Sequence, residues 1–114
     1  MNNLSFKKLR EASLNRTNKI FHKLEDWSWT DWACALAGEV GEACNIVKKI
    51  RRGDKTFFEK GKERPLDKKA LADELADVVI YADLLAAAAG IDLGQAIQDK
   101  FNEVSDKCKC EIKL

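Results

Sequence analysis

The chain has few of the residues that interrupt helices and few of those that bind soft metals. It carries one proline, Pro65, and little of the β-branched alternation that marks a half-buried strand. His22 is the sole histidine, and the four cysteines (Cys34, Cys44, Cys108, Cys110) include no C-x-x-C pair, so a zinc site is poorly supported. A carboxylate-bridged di-iron bundle fails for the same reason, because it needs Glu-x-x-His motifs. No apolar run reaches membrane-spanning length, and Met1-Asn2-Asn3-Leu4 lacks the hydrophobic core of a signal peptide. The expected compartment is the cytoplasm, with the thiols reduced and structural. There is no internal repeat and no low-complexity linker. A net charge of +1 is modest for a protein whose task is gripping nucleic acid.

What remains is a helix-forming composition, with Ala, Leu, Lys, Glu and Asp dominant. The 114 residues suit one domain, 1–114, of the all-α class. Four helices are expected. The first runs from about Leu4 to Leu24. The segment Asp26-Trp27-Ser28-Trp29-Thr30-Asp31 breaks the pattern and supplies caps for a second helix, about Asp31 to Ile50. A flexible basic loop follows at about 53–66. Asp67 caps a third helix that ends near Ala89, with Gly90 as its C′ residue, and Asp92 opens a fourth that reaches Lys107.

Two acidic motifs stand out: Glu39-Val40-Gly41-Glu42 and Glu74-Leu75-Ala76-Asp77. Each places two carboxylates three residues apart on one helical face. Four acids on two facing helices form an all-oxygen cage of the kind Mg²⁺ or Mn²⁺ prefers. Helical phase supports a special role for the first pair. Trp32, Leu36, Val40, Ala43, Val47 and Ile50 fall in one apolar stripe, with Glu39 inside it and Glu42 at its edge. A carboxylate among apolar neighbours costs several kcal/mol unless a cation or hydrogen bonds compensate. Gly38 and Gly41 weaken the same helix, which suggests close approach of another backbone or of a ligand.

The third helix is apolar on two faces. Leu71, Leu75, Val78, Ala82, Leu85 and Ala89 form one, and Ile80, Leu84, Ala87 and Ala88 form the other. A helix that is apolar nearly all round wants burial all round, so a homodimer is expected, with Ile80 and Leu84 at an interface. Glu74, Asp77 and Tyr81 share the polar sector between the faces; Tyr81 either contacts a ligand or simply packs.

Charge is uneven. Half of the basic residues lie between Lys48 and Lys69, and Lys49 shares the helical face of Glu42. Cations beside a carboxylate–metal cage suit a polyphosphate, which needs both. Trp27, Trp29 and Trp32 precede the first acidic motif. Trp32 is in phase with the core stripe, whereas Trp27 and Trp29 sit in the connection and are candidates for stacking on a nucleobase.

The pair E-x-x-E and E-x-x-D on a helical chain resembles the MazG-like nucleoside triphosphate pyrophosphohydrolases of the all-α NTP pyrophosphatase superfamily. Leu36-Ala37-Gly38-Glu39-Val40-Gly41-Glu42 looks like the first metal motif of that family, and Glu74-Leu75-Ala76-Asp77-Val78-Val79-Ile80-Tyr81 looks like the second. Asp92-Leu93 and Lys100-Phe101-Asn102 are similar to its last helix, where a lysine commonly reaches the phosphates. The resemblance implies Glu39, Glu42, Glu74 and Asp77 as Mg²⁺ ligands, with Mn²⁺ able to substitute, and Lys49, Lys100 and Asn102 as substrate contacts. It implies hydrolysis of a (deoxy)nucleoside triphosphate between the α and β phosphates, in the service of nucleotide-pool house-cleaning, by a four-helix protomer whose bundle a second subunit completes. Dimers and dimers of dimers are both compatible with it. The spacer from Glu42 to Glu74 is long for the family, which puts transfer of base-binding residues in doubt. The rival reading is a non-catalytic helical module that binds nucleotide or nucleic acid.

Overall fold

A computed structural model describes residues 2–114. Its helices are α1 (Phe6–Arg16), α2 (Trp29–Arg52), α3 (Lys68–Ala88) and α4 (Leu93–Lys107), with strands β1 (Thr56–Glu59) and β2 (Lys62–Pro65) between α2 and α3. The chain divides into two compact units, one from Trp29–Ala82 and one from residues 2–28 together with residues 83–114.

In the continuous unit, α2 and the first part of α3 carry the interior, where Trp32, Ala43, Ile46 and Ala70 are buried. Asp67 starts α3 as its sequence suggests: its Oδ1 accepts from Ala70 N at 3.0 Å. The expected loop at 53–66 is instead an antiparallel hairpin, pairing Thr56 with Pro65 and Glu59 with Lys62. Lys60 and Gly61 form its two-residue turn, both in the left-handed region (φ 51° and 76°), as the twist of a tight hairpin requires. Arg64 ties the hairpin together and to α3, donating to Glu59 Oε2 at 2.8 Å and to Asp73 Oδ2 at 3.2 Å.

The apolar stripe of α2 divides differently from its phase. Trp32 and Ala43 are buried, but Val40 and Val47 are 42% and 50% exposed, and Leu75 on α3 is 52% exposed. These side chains, with Ala43, Leu71 and Val78, line an apolar groove. The far face of α3, expected to be open, is covered: Leu84 is buried and Ile80 half-buried. An open apolar surface therefore lies on the α2–α3 face, whereas the Ile80–Leu84 face is covered. At Gly38 and Gly41 an added Cβ would meet nothing within 4 Å, so no backbone of the described protomer approaches them.

In the other unit, α1 is shorter than expected. After Arg16 the chain takes one π turn (Thr17–Phe21), passes through extended backbone at His22, and makes a short 3₁₀ turn (Leu24–Asp26). A polar side chain that takes a backbone group interrupts the helix: Asn18 Oδ1 accepts from Leu24 N at 2.8 Å. Ser5 caps α1 and Asp92 caps α4. Gly90 lies just past α3 with φ 71°, as a C′ glycine should. Arg10 grips Asp83 bidentately at 2.8 and 3.0 Å and also donates to Ile91 O at 2.8 Å. Among the described residues no helix is long and apolar enough to cross a membrane.

Candidate metal centre

Glu39 and Glu42 are one turn apart on α2, and Glu74 and Asp77 one turn apart on α3. Within the continuous unit these helices bring carboxylate oxygens of Glu39, Glu74 and Asp77 within 4.8 Å of one another. Glu42 stands beside the three and lines the same cleft.

This clustering is electrostatically unfavourable in the absence of a cation. Burial, then repulsion from Glu42 and Asp77, push the Glu39 carboxyl above the usual carboxylate range. Burial pushes Glu74 further, up to about 7, with the hydrogen bond to Glu42 and the neighbouring negative charges adding to it. One oxygen on each, Glu39 Oε2 and Glu74 Oε2, is buried with no hydrogen-bond partner. Buried oxygens are normally satisfied, so two orphans side by side fit ligands of a cation. The donor set is oxygen throughout, which suits a hard divalent ion such as Mg²⁺ or Mn²⁺.

The acids open onto a cleft of about 460 Å³, within the range of small-molecule sites. Lys49 lines it, as its shared face with Glu42 suggests, and its ammonium lies 5.7 Å from the centre of the Phe57 ring. Asn45, Phe57, Phe58, Glu59 and Lys60 also line it, and the sequence reading missed all five. Asn45 was within reach of helical phase, one turn after Glu42. The hairpin residues were not, because their charges mask the alternation of a strand.

Other expected site residues have local roles. Tyr81 is half-buried, with its ring 6.3 Å from that of Trp32. Trp29 begins α2 and is 62% exposed. Trp27, Lys100 and Asn102 belong to the other unit. There Trp27 packs against His22 at 4.6 Å, Lys100 pairs with Glu103 at 3.3 Å, and Asn102 Oδ1 accepts from Leu114 N at 2.8 Å.

Comparison with known proteins bears on this geometry. Residues 30–110 match the model of the MazG nucleotide pyrophosphohydrolase domain, a span that contains both acidic motifs and the hairpin. Over 70 residues the chain is 39% identical to mouse (Mus musculus) dCTP pyrophosphatase 1, covering 60% of this chain and 38% of that protein. The chain thus spans well under half of the curated relative it matches. The family match covers most of the sequence, and the acidic pairs inside it converge in space: the chain belongs to the MazG nucleotide pyrophosphohydrolase family.

Proposed function

We propose that the protein hydrolyses (deoxy)nucleoside triphosphates between the α and β phosphates, with Mg²⁺ held by Glu39, Glu42, Glu74 and Asp77. The observation that carries this reading is the convergence of Glu39, Glu74 and Asp77 around two buried oxygens that lack partners. Bound there, divalent ions would neutralise the polyphosphate and lower the pKa of a water. The carboxylates orient that centre, and a glutamate oxygen among them accepts the proton of the attacking water. Lys49, on the wall of the same cleft, stabilises charge on the leaving pyrophosphate. By resemblance Lys100 contributes in the same way; its pairing with Glu103 is exposed and exchangeable. Asn102, Tyr81, Trp27 and Trp29 remain candidates for substrate contact on the same ground.

The similarity to a dCTP pyrophosphatase supports a deoxynucleotide substrate; a house-cleaning role in the cytoplasm belongs to the same proposal by resemblance to the family. We propose further that the protomer forms a homodimer, or a pair of dimers, through the apolar groove of Val40, Val47, Leu71, Leu75 and Val78. Leaving such side chains in water forfeits about 1.5–3 kcal/mol each relative to burial.

Pyrophosphate release measured across the common dNTPs and NTPs with Mg²⁺ tests the reading. Turnover of at least one deoxynucleotide, lost on adding EDTA, is expected. Binding without turnover for every nucleotide would instead make the chain a non-catalytic module.

A further inference from the structure

The hairpin between α2 and α3 is not a spacer. Four consecutive residues of it, Phe57 to Lys60, line the cleft onto which the acids open. It is held there from two sides. Arg64 bonds to Asp73, the neighbour of Glu74 on α3, and Lys49 of α2 lies over the Phe57 ring. Within β1, Phe57 and Glu59 are half-buried on one side, and both face Arg64. Phe58 alternates to the other side and is 71% exposed. An aromatic ring left in water at the edge of a cleft is an unfilled contact. Beside it, Lys60 occupies the first turn position with φ 51°, where asparagine, aspartate or glycine is the unstrained choice. A lysine there costs backbone strain, and its ammonium has no carboxylate partner among the described residues. Residues held in sparsely populated conformations concentrate at functional sites.

We propose that the hairpin tip reads the substrate: the Phe58 ring stacks on the nucleobase, and the Lys60 ammonium takes a phosphate oxygen. This rests on the pyrophosphohydrolase reading above and adds to it the element that recognises the nucleotide. The acids engage a polyphosphate through its cation and have nothing planar to offer a base. The hairpin supplies an aromatic face and a positive charge on the same cleft. Base stacking on an aromatic face tolerates every base, so Phe58 sets affinity for nucleosides in general rather than choice among them.

The test is steady-state kinetics of the full chain with dCTP and with dATP, comparing wild type, Phe58→Ala and Lys60→Gly. Melting temperature and mass by light scattering are measured alongside. Phe58→Ala should raise KM about tenfold for both nucleotides, from the lost stacking, with kcat changed little. Lys60→Gly relieves the left-handed backbone and so should melt no lower than wild type. It should nevertheless raise KM about tenfold, from the lost charge-assisted hydrogen bond. An active wild type with KM unchanged in either variant overturns the hairpin assignment and leaves the pyrophosphohydrolase reading intact. A Phe58→Ala protein that dissociates into monomers assigns the ring to a subunit contact and overturns the assignment as well. A wild type that turns over no nucleotide overturns the underlying reading instead.

Discussion

Arg64 Nη2 lies 3.2 Å from Asp73 Oδ2, which fastens the hairpin to α3 one residue before Glu74. Lys69 pairs with the same Asp73, so one carboxylate holds two cations. Both cations keep the Asp73 carboxyl below the usual range, through hydrogen bonds from Lys69 first and then Arg64. Exposed pairs of this kind contribute little to global stability. Arg64→Ala should therefore leave the melting temperature nearly unchanged while hydrogen exchange quickens at the hairpin amides. Equal protection of those amides in the variant and wild type would show that the tie does not hold the hairpin.

Removing a carboxylate of the candidate metal centre should remove turnover and keep the fold. Glu39→Gln and Asp77→Asn are each expected to lower kcat more than about a hundredfold, since even residues that merely support a metal's ligands cost 10–100-fold. Far-ultraviolet circular dichroism should be unchanged. Wild-type activity in either purified variant would rule out this site.

The metal-free protein should become less stable as pH rises. Glu74 is raised from the usual 4.5 to about 7, so the folded state holds this proton more tightly than the unfolded chain. Its stabilising contribution is complete below about pH 4.5 and is lost as pH climbs through about 7. Melting in EDTA should fall across that window, Glu74→Gln should flatten the fall, and Mg²⁺ should reverse it. A melting temperature that rises over the window in wild type but not in Glu74→Gln would contradict the assignment.

Asp83 is 1% exposed and depends on Arg10 for its charge partner. The same interaction raises the Arg10 pKa. Truncating one member of a buried pair leaves the other uncompensated, at a cost of about 3–5 kcal/mol. Arg10→Ala should show that loss in urea denaturation, whereas the double variant Arg10→Met with Asp83→Leu should recover much of it. A double variant no more stable than Arg10→Ala would mean that the pair matters for more than its charge.

Assembly is expected to depend on the open α2–α3 face. Val47→Asp and Leu75→Asp should each shift the light-scattering mass to that of a monomer, because a charge placed in an apolar contact must be desolvated. A full-size oligomer in both variants would place the interface elsewhere.

Much of this was legible beforehand, and the misses have physical causes. The four acids, Lys49 and the caps Asp67 and Asp92 follow from spacing and local chemistry, which a helix obeys whatever packs around it. Burial does not follow so simply. Val40 and Val47 are in phase with Trp32 yet lie open, because phase names a helix face without naming what covers it. The hairpin was hidden by charge. Thr56-Phe57-Phe58-Glu59 and Lys62-Glu63-Arg64-Pro65 flank a Lys-Gly turn, but their polar residues mask the alternation that marks a strand. The end of α1 depends on Asn18 taking a backbone partner, which periodicity does not register.

The division of the chain bears on how the protein is made. Trp29–Ala82 is one uninterrupted stretch, and it holds both acidic pairs, Lys49 and the whole hairpin. A ribosome adds about 5–20 residues each second, and compact units fold as they emerge. Contacts within the acid-bearing stretch can thus begin to form before α4 has left the ribosome. Arg10, by contrast, bonds to Asp83 and Ile91, both of which follow that stretch in the sequence. The residues that gather the acids are thus made before the last of the contacts that hold Arg10.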